Sequence, residues 1–339
     1  MAVVKADGYG HGDVQVARAA MEAGATWLGV ALVEEGVRLR DAGIGAPILV
    51  LSEFPPGAER EALAAGLTPS LYTDAALARL VAAAGDLRVR PGVHVKVDTG
   101  MHRVGLAPDR AAAFVAAVVA AGLGVEALWT HFAKSDELDD PFTDVQLERF
   151  RGAVADVARA GVRPRLLHAA NTAAAMARPA AHLDLVRLGI GIYGIAPTPA
   201  LRGRFDLRPA MTWTSQVAMV KRVAAGEGIS YGLRYRLERE STVATVPAGY
   251  ADGYARVLSN RSQVLIRGRR HPVAGTVSMD QLMVDCGDDP VEPGDEVALL
   301  GSQGDERIEA AELAALAGTI PYEVVCGVSK RVPRVYVGE

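Results

Sequence analysis

Lys5 is followed by Ala-Asp-Gly-Tyr9-Gly-His11-Gly, a glycine-rich turn in which backbone can approach a ligand closely. A lysine ending a buried strand is costly as a plain cation. It is either paired or used as an amine, because desolvation makes an ammonium lose its proton more readily. The plain alternative is a strand cap whose tip reaches solvent. Further on, His94-Val-Lys96-Val-Asp98 places Lys96 and Asp98 on one face of a strand, with Arg103 shortly after. An ordinary ion pair would explain that spacing equally well. Thr130-His131-Phe132 and His168-Ala-Ala-Asn171-Thr172 each carry a histidine, a residue more often structural than catalytic when it stands alone. Arg187-Leu-Gly189-Ile190-Gly191 offers glycine amides of the kind that hold a phosphate. Taken together, these segments supply an amine, two arginines, histidines and a phosphate cradle.

Short apolar runs must position them. Eight candidate strands lie near Ala2–Lys5, Trp27–Ala31, Pro47–Leu51, Leu67–Leu71, Gly92–Val97, Gly124–Thr130, Arg165–His168 and Leu185–Leu188. Amphipathic helical stretches such as Val14–Glu22 and Val145–Ala160 separate them, the pattern of repeated βα units around a parallel sheet. The expected fold class is α/β, a (β/α)8 TIM-type barrel over residues 1–207, with the chemistry-bearing residues at the carboxyl ends of its strands. After about Pro209 the pattern changes to longer alternating runs, Met211–Val223, Ser241–Val246, Val264–Ile266, Leu282–Cys286 and Glu296–Leu300, broken by Gly, Pro and Asp turns. Residues 208–339 are therefore expected to form a smaller, β-rich C-terminal domain.

Composition narrows the function classes. The chain has 339 residues, 36 Lys plus Arg against 40 Asp plus Glu, and a formal charge of −4. No basic run suited to a phosphate backbone occurs, which argues against nucleic acid. No apolar stretch is long enough for a membrane span. Cys286 and Cys326 have no metal-like spacing, so neither a metal site nor a disulfide framework is expected, and a reducing cytoplasm fits.

The motifs also carry a resemblance. Val-Val-Lys5-Ala-Asp-Gly-Tyr9-Gly-His-Gly, Lys96-Val-Asp-Thr-Gly-Met101-His-Arg103-Val-Gly, Asn171-Thr172, Arg187-Leu-Gly-Ile, Ser230-Tyr231-Gly232, Gly249-Tyr250-Ala-Asp-Gly-Tyr254, Ser278-Met279-Asp280-Gln281 and Tyr322-Glu323 resemble, in order, those of the alanine racemases. The first motif alone fits any barrel-type pyridoxal phosphate (PLP) protein, and the last four single out the racemase. The resemblance implies Lys5 as the covalent anchor of PLP, with Tyr9, Thr172, Gly189, Ile190 and Tyr322 holding its phosphate. It implies Arg187 facing the pyridine nitrogen, where a permanent cation disfavours protonation, and His131 supporting Arg187 from behind. Racemisation needs an acid/base group on each face of Cα. The resemblance gives these roles to Lys5 and to Tyr231, the latter contributed by the second domain of a partner subunit in a homodimer. A phenol acting as a base near neutrality needs positive charge nearby, for which the Arg187 and His131 network is the candidate. Arg103 and the backbone of Met279 are implied at the substrate carboxylate, Lys96 as a lysine that is carbamylated in many members, Tyr250 at the pocket wall and Arg256 in the entry corridor. Thr276 stands where several members carry an arginine.

The implied activity is interconversion of L- and D-alanine, supplying D-alanine for peptidoglycan. Alternatives are a racemase of broader specificity, a barrel decarboxylase, which would need a different cysteine–aspartate motif from Cys286-Gly-Asp288, and a PLP-binding chain with little turnover. Members of the family normally have about one strand and one helix ahead of the cofactor lysine, and here four residues precede Lys5. The start is accordingly expected to be truncated or misassigned, leaving an apolar face and a strand edge uncovered.

Overall fold

The computed structural model describes residues 1–338. They divide into two compact units, Met1–Leu207 and a second that begins at Arg208.

In the first unit, β1 (Ala2–Val3), β2 (Leu28–Val30) and β3 (Ile48–Val50) pair in parallel in that order. A second parallel set runs β4 (Ser70–Leu71), β5 (Gly92–Lys96), β6 (Gly124–Trp129) and β7 (Leu166–His168). A parallel bridge between Leu49 and Thr68 joins the two sets. The ring closes through Arg187, whose amide donates to Ala170 O at 3.0 Å, and through Leu188, which donates to Met1 O at 2.9 Å and accepts from Val3 N at 2.8 Å. The result is a (β/α)8 barrel. Its eighth stave departs from expectation: in place of a strand over Leu185–Leu188 there is one bridge, Ala2 with Leu188. The chain turns away at Gly189 into the short turn Ile190–Tyr193 before a longer ladder can form.

These strands form where β-branched and other apolar residues dominate, because helices cover one face and the barrel interior the other. Leu28, Val30, Ile48, Leu49, Val93 and Val95 are all buried. The helices carry their own start and stop signals. Thr73 accepts from Ala76 N at 3.2 Å to begin Asp74–Leu87, which ends on left-handed Arg88. In Phe142–Arg159 the buried positions Thr143, Gln146, Leu147, Phe150, Ala153 and Val157 recur every three or four residues and form the face laid on the barrel.

The second unit is mainly antiparallel sheet. Ser241–Val246 pairs with Met219–Val223 on one side and Leu282–Gly287 on the other. Glu296–Gln303 pairs with Gln263–Ile266, Trp213–Gln216 and Glu306–Ile308. The alternating run Met211–Val223 forms two strands in different sheets. Val217 and Ala218 make the switch, donating to Asp295 O and Thr245 O respectively, at 2.9 Å each. Two helices, Ala310–Ala317 and Pro321–Gly327, complete the unit.

Candidate active site

Lys5 does not end a strand. It opens a single left-handed turn in which Ala6, Asp7, Gly8 and Tyr9 have φ of 53°, 55°, 58° and 52°. The turn is closed by Gly8 N to Val4 O at 2.9 Å and Gly10 N to Ala6 O at 3.0 Å. L-residues lose roughly 1–2 kcal/mol each in this conformation, so the surroundings must hold it. Glu35 does so. One carboxylate oxygen accepts from Ala6 N at 2.6 Å, while the other accepts from Ala31 N at 2.7 Å and Leu32 N at 3.1 Å, fastening the turn to the start of helix Val33–Asp41. Asp13, paired with Arg38, donates its amide to Asp7 at 3.3 Å. Sequence reasoning missed Glu35, since a glutamate in the first turn of a helix is ordinary.

Tyr9, Thr172 and Gly189 come together beside this turn. Gly189 N donates to Thr172 Oγ1 at 2.9 Å, and a Cβ at Gly189 would lie 2.6 Å from the Tyr9 hydroxyl. A Cβ at Gly191 would lie 2.7 Å from Thr172 Cγ2. The buried Ile190 begins the turn that brings Tyr193 to Val3 O at 2.9 Å and stacks it on Tyr9 with centroids 4.9 Å apart. At both positions glycine lets the backbone pack closely against the Tyr9 hydroxyl and the Thr172 side chain, so that the Gly189 turn and these two side chains converge. Tyr322 stands on the second unit's helix Pro321–Gly327.

Behind the cradle lies a concentration of positive charge. Arg187 is 3% exposed, and its guanidinium donates to His168 Nδ1 at 2.8 Å, Thr130 O at 2.8 Å, Ala169 O at 2.8 Å and His131 Nδ1 at 3.1 Å. All four acceptors are uncharged, and burial pulls the guanidinium pKa down to about 9. Burial first, then Arg187, pushes both His131 and His168 well below the ordinary histidine range. Both are neutral acceptors, so the positive charge expected of an arginine–histidine network comes from Arg187. The structure adds His168 to the support expected from His131 alone; its position at the end of β7 was the available signal.

Lys96 is 4% exposed, and burial followed by the charges of Arg103 and Arg187 lowers its pKa to about 7. Its Nζ sits 4.2 Å above the Trp129 ring, and Arg187 Cζ lies 4.8 Å from the same ring. The ion pair that the spacing permits with Asp98 is not made. Instead, the Asp98 carboxylate accepts from the amides of Gly100, Met101 and His102 at 3.0–3.1 Å and shapes the loop that carries the exposed Arg103. Among the described residues no carboxylate pairs with Lys96 or Arg187. Gln146, also missed from sequence, ties this rim together by donating to His131 O at 3.1 Å and Thr99 Oγ1 at 3.2 Å.

On the second unit, Tyr231 is 73% exposed on a short turn. Ser230 Oγ donates to Thr276 O at 2.6 Å, and Thr276 Oγ1 donates to Tyr231 O at 2.9 Å. Thr276 thus braces the turn that presents Tyr231. The loop with Tyr250 lies against the loop with Met279, Tyr250 N donating to Ser278 O at 3.1 Å and Ala251 N to Met279 O at 3.0 Å. Gly249 permits this approach, since a Cβ there would lie 2.2 Å from Met279 O. Arg256 begins a short turn whose Ser259 accepts from Val277 N at 2.9 Å, joining it to the same loop.

A family model described as "Alanine racemase, N-terminal domain" matches residues 1–197, and one described as "Alanine racemase, C-terminal domain" matches residues 210–336. The chain belongs to the alanine racemase family. An alanine racemase of Symbiobacterium thermophilum is 53% identical over 342 residues, spanning 100% of this chain and 90% of the relative. One of Desulfovibrio desulfuricans is 48% identical, over 99% of this chain and 90% of the relative. Among solved structures, an alanine racemase from Streptomyces lavendulae has a TM-score of 0.96 at 43% identity, covering 100% of this chain and 90% of its own. An alanine racemase from Bacillus anthracis, solved with bound L-Ala-P, has a TM-score of 0.94 at 38% identity, covering 99% of this chain and 88% of its own. Among the described residues no helix is long and apolar enough to cross a membrane.

Proposed function

We propose that this chain interconverts L- and D-alanine with PLP, and that it works as a homodimer in which Lys5 of one subunit and Tyr231 of the other flank the substrate. The observation that carries this reading is the anion-seeking site around Lys5: the Gly189 cradle beside Tyr9 and Thr172, backed by Arg187, Lys96 and Arg103 with no carboxylate paired to Lys96 or Arg187 among the described residues. Such a site suits a ligand that carries a phosphate together with a substrate that carries a carboxylate. PLP bound there would supply an electron sink for the pair left at Cα when its proton departs. Tyr9, Thr172, Gly189, Ile190 and Tyr322 would hold its phosphate. Arg187, immobilised by four neutral acceptors, would present a fixed cation to the ring nitrogen.

Lys5 Nζ takes or returns the Cα proton on one face, and the Tyr231 phenol does so on the other. Arg103 orients the substrate carboxylate together with the backbone of Met279, and Tyr250 and Tyr322 limit the pocket to a methyl-sized side chain. The exposure of Tyr231 and of Met279, 52% exposed, supports a partner subunit that covers them. Mixing Lys5→Ala with Tyr231→Phe chains tests the shared sites. Half of randomly assorted dimers are mixed, and each has one intact site, so about a quarter of parental activity should return. No recovery after verified subunit exchange would mean that each chain builds its own site.

Lys96 fits a carbamate. With its pKa near 7, a substantial share of the amine is neutral at neutral pH, and the neutral form adds carbon dioxide to give an N-carboxylate and a proton released to water. The new anion lies where Arg103 and Arg187 lack one. Because only the neutral amine reacts, the modification should be lost as pH falls below about 7. Carbon-13 bicarbonate should give a carbamate resonance above that pH that disappears in Lys96→Met; an identical spectrum from both chains would refute the assignment.

A further inference from the structure

Helix Val33–Asp41 meets the turn that Lys5 opens through two charged side chains three residues apart, Glu35 and Arg38. Glu35 is 8% exposed, and its two carboxylate oxygens accept three backbone amides. Two of these bonds are local: Leu32 is the N-cap residue of the helix, and Ala31 directly follows β2. The third, from Ala6 N at 2.6 Å, reaches 29 residues back along the chain and joins the exit of β1 to the exit of β2. Arg38 adds a second grip by pairing with Asp13, whose amide donates to Asp7 Oδ1 at 3.3 Å.

The turn needs this outside help. Its internal bonds run from later amides back to Val4 O, Ala6 O and Asp7 O, so the amide of Ala6, at its start, finds no acceptor within it. Ala6, Asp7 and Tyr9 hold positive φ without being glycine, and a segment so strained relaxes once its outward bonds are lost. A carboxylate suits this place and an amide does not. All three partners of Glu35 donate and both of its oxygens are used, so a glutamine would have to turn its NH2 toward a donor. Ala31 and Leu32 share one oxygen. Glutamine therefore keeps most by aiming its oxygen at that pair, and Ala6 loses its acceptor.

We propose that Glu35 is a positioning residue for Lys5: by holding the Ala6 amide it fixes the left-handed turn from which the Lys5 side chain departs, and so sets where the Lys5 amine stands on its face of the substrate. Its bearing on the reaction rests on Lys5 being the base proposed above; its hold on the turn does not. Two substitutions separate the bond from the charge. Glu35→Gln keeps the length and loses the charge, while Glu35→Asp keeps the charge and falls one methylene short of Ala6. Thr73→Ala, which removes the cap of helix Asp74–Leu87, is the control for a plain loss of stability.

Backbone hydrogen exchange read by mass spectrometry needs no turnover. Residues 4–10 should exchange faster than in the parent in both Glu35 variants and at the parental rate in Thr73→Ala. With PLP and alanine in deuterated water, Tyr231→Phe then identifies the enantiomer whose Cα hydrogen leaves through Lys5. Exchange of that enantiomer should fall about 10²-fold in each Glu35 variant, the scale of an ångström-sized misplacement, and exchange of the other by less than about tenfold. Thr73→Ala should leave the ratio of the two rates unchanged. Equal slowing of both enantiomers in the Glu35 variants, or parental exchange through Lys5 while residues 4–10 have loosened, would show that Glu35 only fastens the barrel end, and would overturn the proposal. Parental protection of residues 4–10 in both variants would overturn it too. A parent that exchanges neither enantiomer, with residues 4–10 still loosened in the Glu35 variants, would count against the racemase reading and leave the hold on the Lys5 turn standing.

Discussion

Lys5→Ala is expected to lower racemisation by at least about 10⁴-fold, because under the proposed function it removes both the covalent anchor of the cofactor and the proton carrier on one face of Cα. The fold should survive. The left-handed turn is held through backbone amides, by Glu35 at Ala6 N and by Gly8 N to Val4 O, and none of these bonds involves the Lys5 side chain. Steady-state rates with alanine, the visible absorbance of bound PLP and a melting curve form one experiment. The expected pattern is lost rate, a lost absorbance band of the covalent link and little change in melting temperature. Racemisation near the parental rate would remove Lys5 from the site.

Tyr231→Phe should slow racemisation in both directions by about 10³-fold, within the range for loss of a positioned acid/base group. Thr276 bonds the Tyr231 carbonyl rather than its hydroxyl, so the substitution leaves the turn in place. Cofactor binding should persist. The more discriminating readout is exchange of the α-hydrogen with solvent: one enantiomer should still exchange through Lys5 although neither is racemised. A parental racemisation rate, or equal loss of exchange from both enantiomers, would contradict two separate bases.

Much of the barrel is legible because buried parallel strands need continuous apolar runs, and β2, β3, β5 and β6 lie within the stretches where such runs occur. The exceptions are informative. Leu185–Leu188 has the composition of a strand, but Gly189 diverts the backbone after one bridge, and this diversion creates the cradle. Met211–Val223 alternates as one strand would, yet Val217 and Ala218 hand it from one sheet to another, a tertiary event that periodicity does not record. The same holds around the site. Lys5, Tyr9, Thr172, Gly189 and Arg187 are visible as reactive or permissive residue types in or just after the apolar runs. Glu35, Gln146 and His168 act by reaching across from other elements, and in sequence they read as a helix-cap glutamate, a helix glutamine and a strand histidine. The two-residue spacing allows Asp98 an ion pair with Lys96, but three backbone amides claim its carboxylate instead.

The most direct measurement is made on the purified chain with PLP and L-alanine in deuterated water, following enantiomer composition and the deuterium content at Cα together. D-alanine should accumulate until the two enantiomers are equal, with deuterium on Cα of the product. The result that would contradict the racemase reading is an absence of D-alanine under conditions where the same preparation rapidly turns over a larger amino acid.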